Sequence, residues 1–150
     1  MSESSLDEER VIEAARSIIR SRFARGKQLA SSNDAKELGI HELSTAEQEI
    51  FACLFLTTRH EVIAFEKLFF GSIDHASVHP RIVVKRLLDL GASAVILFHN
   101  HPSGISDPSN SDRELTRRLK QAVELVDGSI IDHIVVAGTS TFSFSEQGML

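Results

Sequence analysis

Apolar residues along this chain follow two periods. Over residues 7 to 24, Val11, Ala14, Ala15, Ile18 and Ile19 recur at helical spacing, which predicts an amphipathic helix. Asp7, Glu8 and Glu9 stand at its start, where negative charge suits the helix dipole, and Gly26 ends it. Residues 28 to 43 are more polar, with "SSND" capping a short helix over Ala35 to Leu38. From Glu49, "EIFACLFLTT" is rich in aromatic and branched residues and reads as a strand, with "EVIAFEKLFFGS" its hairpin partner across "TTRH". Pro80 opens a helix through Leu90, and Gly91 fits just past its end. "SAVILF" is a continuous apolar strand, the pattern of a strand buried on both faces. Ser109 to Val126 is a second clear helix: Leu115, Leu119, Ala122, Val123 and Val126 mark its buried stripe, and Arg117, Arg118 and Lys120 its wet side. "IDHIVVAG" and "TFSFSE" form a closing pair of strands. This order predicts an α/β sandwich: a mixed β-sheet flanked by helices, preceded by an N-terminal helical segment.

Composition narrows the class. The 150 residues are 42% apolar and 25% charged, which is ordinary for a globular domain. No apolar run approaches the ~20 residues that span a bilayer. The acidic start "MSESSLDEER" lacks a signal peptide's features, so the expected location is the cytoplasm, without a membrane partner. The lone cysteine, Cys53, reads as a buried inert thiol. A net charge of −5 argues against general nucleic-acid affinity. The local exception is "RSIIRSRFARGK", residues 16 to 27, read as a solvated helix face, with a DNA-contacting patch as the alternative.

Candidate chemistry concentrates in "HNHPSGISDPSNSD", residues 99 to 112. Alternation along a strand puts His99 and His101 on one side, where two imidazoles can take two corners of a zinc tetrahedron, with Zn–N near ~2.0–2.1 Å. Pro102, Gly104 and Pro108 bend the chain back, and Ser109 is a natural N-cap. Asp112 then falls in the first helical turn, able to face the strand end as a third ligand. Two histidines and one carboxylate leave a position open for water, the signature of a catalytic zinc site. Such a water needs a base, and Glu47, Glu49, Glu61 and Glu66 are the candidates. Glu49 sits at the mouth of the first strand, and Glu66 is the reserve. Asp132 and His133 read as a structural pair or as support behind the ligands. His79 and Asp107 read as loop and turn residues, and His41, His60 and His75 as surface residues.

The longer pattern resembles that of the JAB/MPN metalloenzymes, in which a distant glutamate precedes H-x-H-P-x(6)-S-x-x-D. "AVILFHNHPSG" and "DHIVVAG…FSFSEQG" are similar to the RadC branch of that superfamily, over residues of about 45 to 150. "LGASAVILFHNH" replaces the branch's usual Asn-Ala-Ala run, and "LTT" stands where an aspartate usually follows the strand; neither departure touches a proposed ligand. The resemblance implies a JAB/MPN domain, a cytidine-deaminase-like sandwich, over residues 44–150, with residues 1–43 as an N-terminal helical segment. It implies His99, His101 and Asp112 as zinc ligands, Ser109 as oxyanion donor and Glu49 as base. The implied activity is zinc-dependent hydrolysis of a peptide or isopeptide bond, with a peptide or protein as substrate. The alternatives are a DNA-associated repair or recombination accessory protein and a metal-binding protein without catalysis. The helix-hairpin-helix segment usual in full-size members is not in this sequence, an expectation that sets aside the branch's most obvious DNA-binding candidate. Oligomeric state is left open.

Overall fold

The computed structural model describes residues 2–74 and 77–150; His75 lies outside the described residues. Its elements, in chain order, are α1 (Glu3–Arg22), α2 (Ser32–Leu43), β1 (Ile50–Leu56), β2 (Val62–Phe70), α3 (Pro80–Asp89), β3 (Ala94–Asn100), α4 (Asn110–Leu125), β4 (Ser129–Ala137) and β5 (Ser140–Ser143). The strands form one sheet in the order β2-β1-β3-β4-β5. β3 and β4 run parallel, with α4 as their crossover, and the other neighbours are antiparallel. This is the expected mixed α/β sandwich.

Both faces of the sheet are covered, which explains why β1 and β3 are apolar without alternation. Phe51, Cys53, Phe55, Val95 and Leu97 meet Val83 and Leu87 of α3 and Leu115, Leu119 and Val123 of α4. Ala52, Leu54, Ile96, Phe98, Ile134 and Val136 meet Ala35, Leu38 and Leu43 of α2. Burial pushes the Cys53 thiol well up, so it stays protonated, as an inert core thiol should.

Three local readings shift. α1 begins at Glu3, because the Ser2 hydroxyl accepts from the Ser5 N–H and caps it there; Asp7 to Glu9 therefore lie inside the helix. α2 outgrows the predicted Ala35 to Leu38, capped at Ser31 and held by its packing on the sheet. His41 and His60 are half-buried, not on open surface. Among the described residues, no helix is long and apolar enough to cross a membrane.

Candidate metal centre

Antiparallel pairing sets Phe51 of β1 opposite His99 of β3. The start of β1, the end of β3 and the N-terminus of α4 therefore converge. His99 and the odd-numbered residues before it face α3 and α4, and Glu49 continues the same face of β1. Beyond β3, the His101 N–H donates to the Val136 carbonyl, holding that residue beside β4. Gly104, at φ +86°, supplies the left-handed turn that swings the loop back to α4.

At the end of that loop Ser109 caps α4 reciprocally. Its hydroxyl accepts from the Asp112 N–H (3.0 Å), and its own N–H donates to Asp112 Oδ2 (2.8 Å). The box turns the Asp112 carboxylate toward β3, so Oδ1 lies 3.1 Å from His99 Nε2 and Oδ2 lies 3.1 Å from His101 Nε2. The two Nε2 atoms are 3.0 Å apart. One ligand atom from each of these three residues falls within 4.8 Å of the others.

Hydrogen bonding fixes which ring nitrogens carry protons. Thr116 spends its hydroxyl proton on the Asp112 carbonyl (2.8 Å), so its oxygen accepts from His133 Nδ1–H (2.6 Å). His133 Nε2 is then an acceptor, and His99 Nδ1–H donates to it (2.8 Å). His101 Nδ1–H donates to the Ile105 carbonyl (2.8 Å). In neutral rings both Nε2 atoms are therefore left with bare lone pairs, aimed at a carboxylate that also only accepts. Such a set needs a cation at its focus, and two imidazoles with one carboxylate fit a divalent transition metal.

A proton on His101 Nε2 is the simplest cation to fill that focus: the hydrogen bond it then makes to Asp112, outweighing partial burial, raises the His101 pKa, and the Glu49 charge adds to it. Burial pushes the Asp112 carboxyl up, but the His101 and His99 hydrogen bonds and the Ser109 N–H hold it well below the usual carboxylate range. His133, wholly buried and beside His99, is held neutral, its pKa far below the ordinary imidazole value.

The four candidate glutamates separate. Glu49 lies at the site, near enough for its charge to act on His101, with Oε2 accepting from the Ile73 N–H at 2.5 Å. Glu66 stands opposite Cys53, midway along the edge strand β2, and both its oxygens accept from Arg86 at 2.7 Å. Glu61 bridges Gln28 at the far end of β1, and Glu47 is exposed. Asp132 accepts from the His133 and Ser145 N–H groups and the Ser143 hydroxyl, a structural role, while His133 backs His99. His79 and Asp107 are exposed loop residues outside the cluster.

Two contributors gave no signal in the sequence pattern. Thr116 closes the His99–His133 chain back onto Asp112. Asn100, between the two histidines, points to the opposite face. There its side chain accepts from the Ile50 N–H (2.6 Å) and donates to the Gln48 carbonyl (3.0 Å), clamping the backbone on either side of Glu49.

A family profile described as "RadC-like JAB domain" matches residues 29–149. The chain belongs to the RadC-like JAB domain family. Among curated relatives, a UPF0758 protein of Thioalkalivibrio sulfidiphilus is 51% identical over 140 residues, covering 93% of this chain and 62% of the relative. One from Coxiella burnetii is 48% identical over 138 residues, covering 92% and 62%. One from Vibrio cholerae is 48% identical over 143 residues, covering 95% and 90%. The chain thus spans about 62% of the length of the first two of these RadC-family relatives. The His-His-Asp cluster fits a JAB-type metal hydrolase.

Proposed function

We propose that this RadC-like domain is a zinc-dependent hydrolase that cleaves an amide bond, peptide or isopeptide, in a peptide or protein substrate. One observation carries the reading: His99 and His101, with tautomers set from behind, aim bare nitrogens at the same point as the Asp112 carboxylate. These three side chains would hold the ion. A zinc ion bound there supplies an acidified water and a Lewis acid for the amide carbonyl. Glu49, on the same face, is the base that takes the proton from the attacking water and delivers it to the leaving amine. The Ile73 N–H on one oxygen holds that carboxylate in place. Ser109 caps α4 through an oxygen lone pair, which leaves its hydroxyl proton to donate to the developing oxyanion.

The DNA-associated reading draws less support. Arg16 and Arg20 lie beside Glu13, and Arg22 pairs with Glu37, so part of that basic stretch is offset within the chain, whose net charge is −5.

The test is metal content by mass spectrometry on untagged protein, beside His99→Ala, Asp112→Ala and Glu49→Gln. The expected result is about one zinc per wild-type chain, lost in the first two variants and kept in Glu49→Gln, with Glu49→Gln losing amide hydrolysis. A folded wild type that takes up no zinc, even when zinc is added back, rules the reading out.

A further inference from the structure

None of the residues of α1 is buried. Only its C-terminal end meets the body, where half-buried Ile19, followed by Phe23, packs on the cluster beneath α2. Val11 is 69% exposed, Ile18 55% and Ile12 49%. Propensity alone lends a helix little stability in water; helices of proteins are held chiefly by burying an apolar stripe. Except at Ile19 that stripe is open here, and its composition says what fits it.

Glu8, Val11, Ile12, Ala15, Ile18, Ile19 and Arg22 follow one another at helical spacing along a single face. The order mirrors itself about Ala15. Val11 lies as far before Ala15 as Ile19 lies after it, and Ile12 and Ile18 match likewise. The outermost pair, Glu8 and Arg22, matches in position and is opposite in charge. Asp7 and Glu9 extend the acidic end, and Arg20 and Arg25 the basic end.

We propose that α1 is a self-association surface, pairing antiparallel with α1 of a second copy about a two-fold axis at Ala15. Val11 then meets Ile19 of the partner subunit, Ile12 meets Ile18 of the partner subunit, and Glu8 meets Arg22 of the partner subunit. Each contact occurs twice, as an isologous interface requires. The small Ala15 at the crossing lets the helices approach closely. A parallel pair would set Glu8 on Glu8 and Arg22 on Arg22. An unrelated partner would demand neither the mirror order nor the charge reversal. The Arg22–Glu37 bond within the chain, 2.9 Å between exposed groups, is of a kind that is readily exchanged.

Sedimentation velocity over a range of concentrations tests this. Wild type is expected to move from monomer toward twice that mass as concentration rises, and Ile18→Asp to remain monomeric while its body still unfolds cooperatively. Glu8→Arg and Arg22→Glu should each weaken association at least tenfold. An equimolar mixture of the two, and the chain carrying both changes, should restore it. Mixing cannot restore the Arg22–Glu37 contact within the Arg22→Glu chain, so rescue reads the intermolecular pair alone. Three results would each overturn the proposal: a wild type monomeric at every concentration, whose stripe another partner must then cover; a dimer indifferent to Ile18→Asp; or charge variants that mixing does not rescue.

Discussion

His133 shows how a single side chain can serve a site it does not enter. It is fully buried and neutral, and it holds His99 by hydrogen bonding, in the tautomer that turns a bare nitrogen toward Asp112 and His101. Partners behind a metal-binding histidine are commonly worth ~10–100-fold in metal affinity. His133→Ala is therefore expected to loosen zinc by about that factor, measured by competition with a chromophoric chelator. His133→Gln, which can still accept from His99 and donate to Thr116, should recover part of the loss. Equal zinc affinity in wild type and His133→Ala would show that the tautomer is set elsewhere. His133 and Asp132 were visible in the sequence as support or structure, whereas nothing there pointed to Thr116 or Asn100. Their roles come from which strand ends lie side by side.

Among the elements, α2 and α3 hold the sheet against which the site is built. α2 sits directly on β3 at Gly39, where an added Cβ would come 2.9 Å from the Phe98 ring and 3.1 Å from Val136. Phe98 is fully buried and packed edge-on against Phe65, so it has little room to yield. Overpacking costs about 1–3 kcal/mol, against a helix-propensity gain of up to about 1 kcal/mol. Gly39→Ala should thus destabilise the fold by roughly 1 kcal/mol in denaturant titration, and an unchanged or raised midpoint would contradict this packing. On the opposite face Arg86 of α3 grips Glu66 of β2, and that hydrogen-bonded guanidinium lowers the Glu66 pKa. A depressed carboxylate pKa gives stability that is full above its unfolded value and lost as pH falls through the folded one. Glu66→Gln should therefore melt below wild type at neutral pH, and the gap should close in acid. A gap that persists or widens on acidification would refute the assignment.

For the whole molecule, the core on each face of the sheet is complete in itself, and the three candidate ligands lie at one end. Zinc bound there, as proposed, should add to stability without being required for folding, unlike in a zinc finger. A ligand at about a hundred times its Kd adds roughly 2.7 kcal/mol, or about 5–11 °C at ~2–4 °C per kcal/mol for a chain of this size. Calorimetry with and without a chelator should show that drop with cooperative unfolding kept. A chelated chain that loses its cooperative transition would mean that the metal builds the fold.

The sequence by itself determined the elements, their order and the His-His-Asp set, because period, caps and ligand spacing are local properties of the chain. The H-x-H pair at a strand end and Ser109 three residues before Asp112 carry their geometry within a few residues. Which of the four glutamates stands beside the cluster was different, since that is a matter of distance in space. Only the pairing of β1 with β3 brought Glu49 to the cluster and left Glu66 midway along the edge strand β2 with Arg86. The same holds for α1: its period announced a helix, but an amphipathic pattern looks alike whether its apolar face is covered or open. Tertiary packing decided that, by giving the core to α2, α3 and α4 and leaving most of the stripe of α1 exposed.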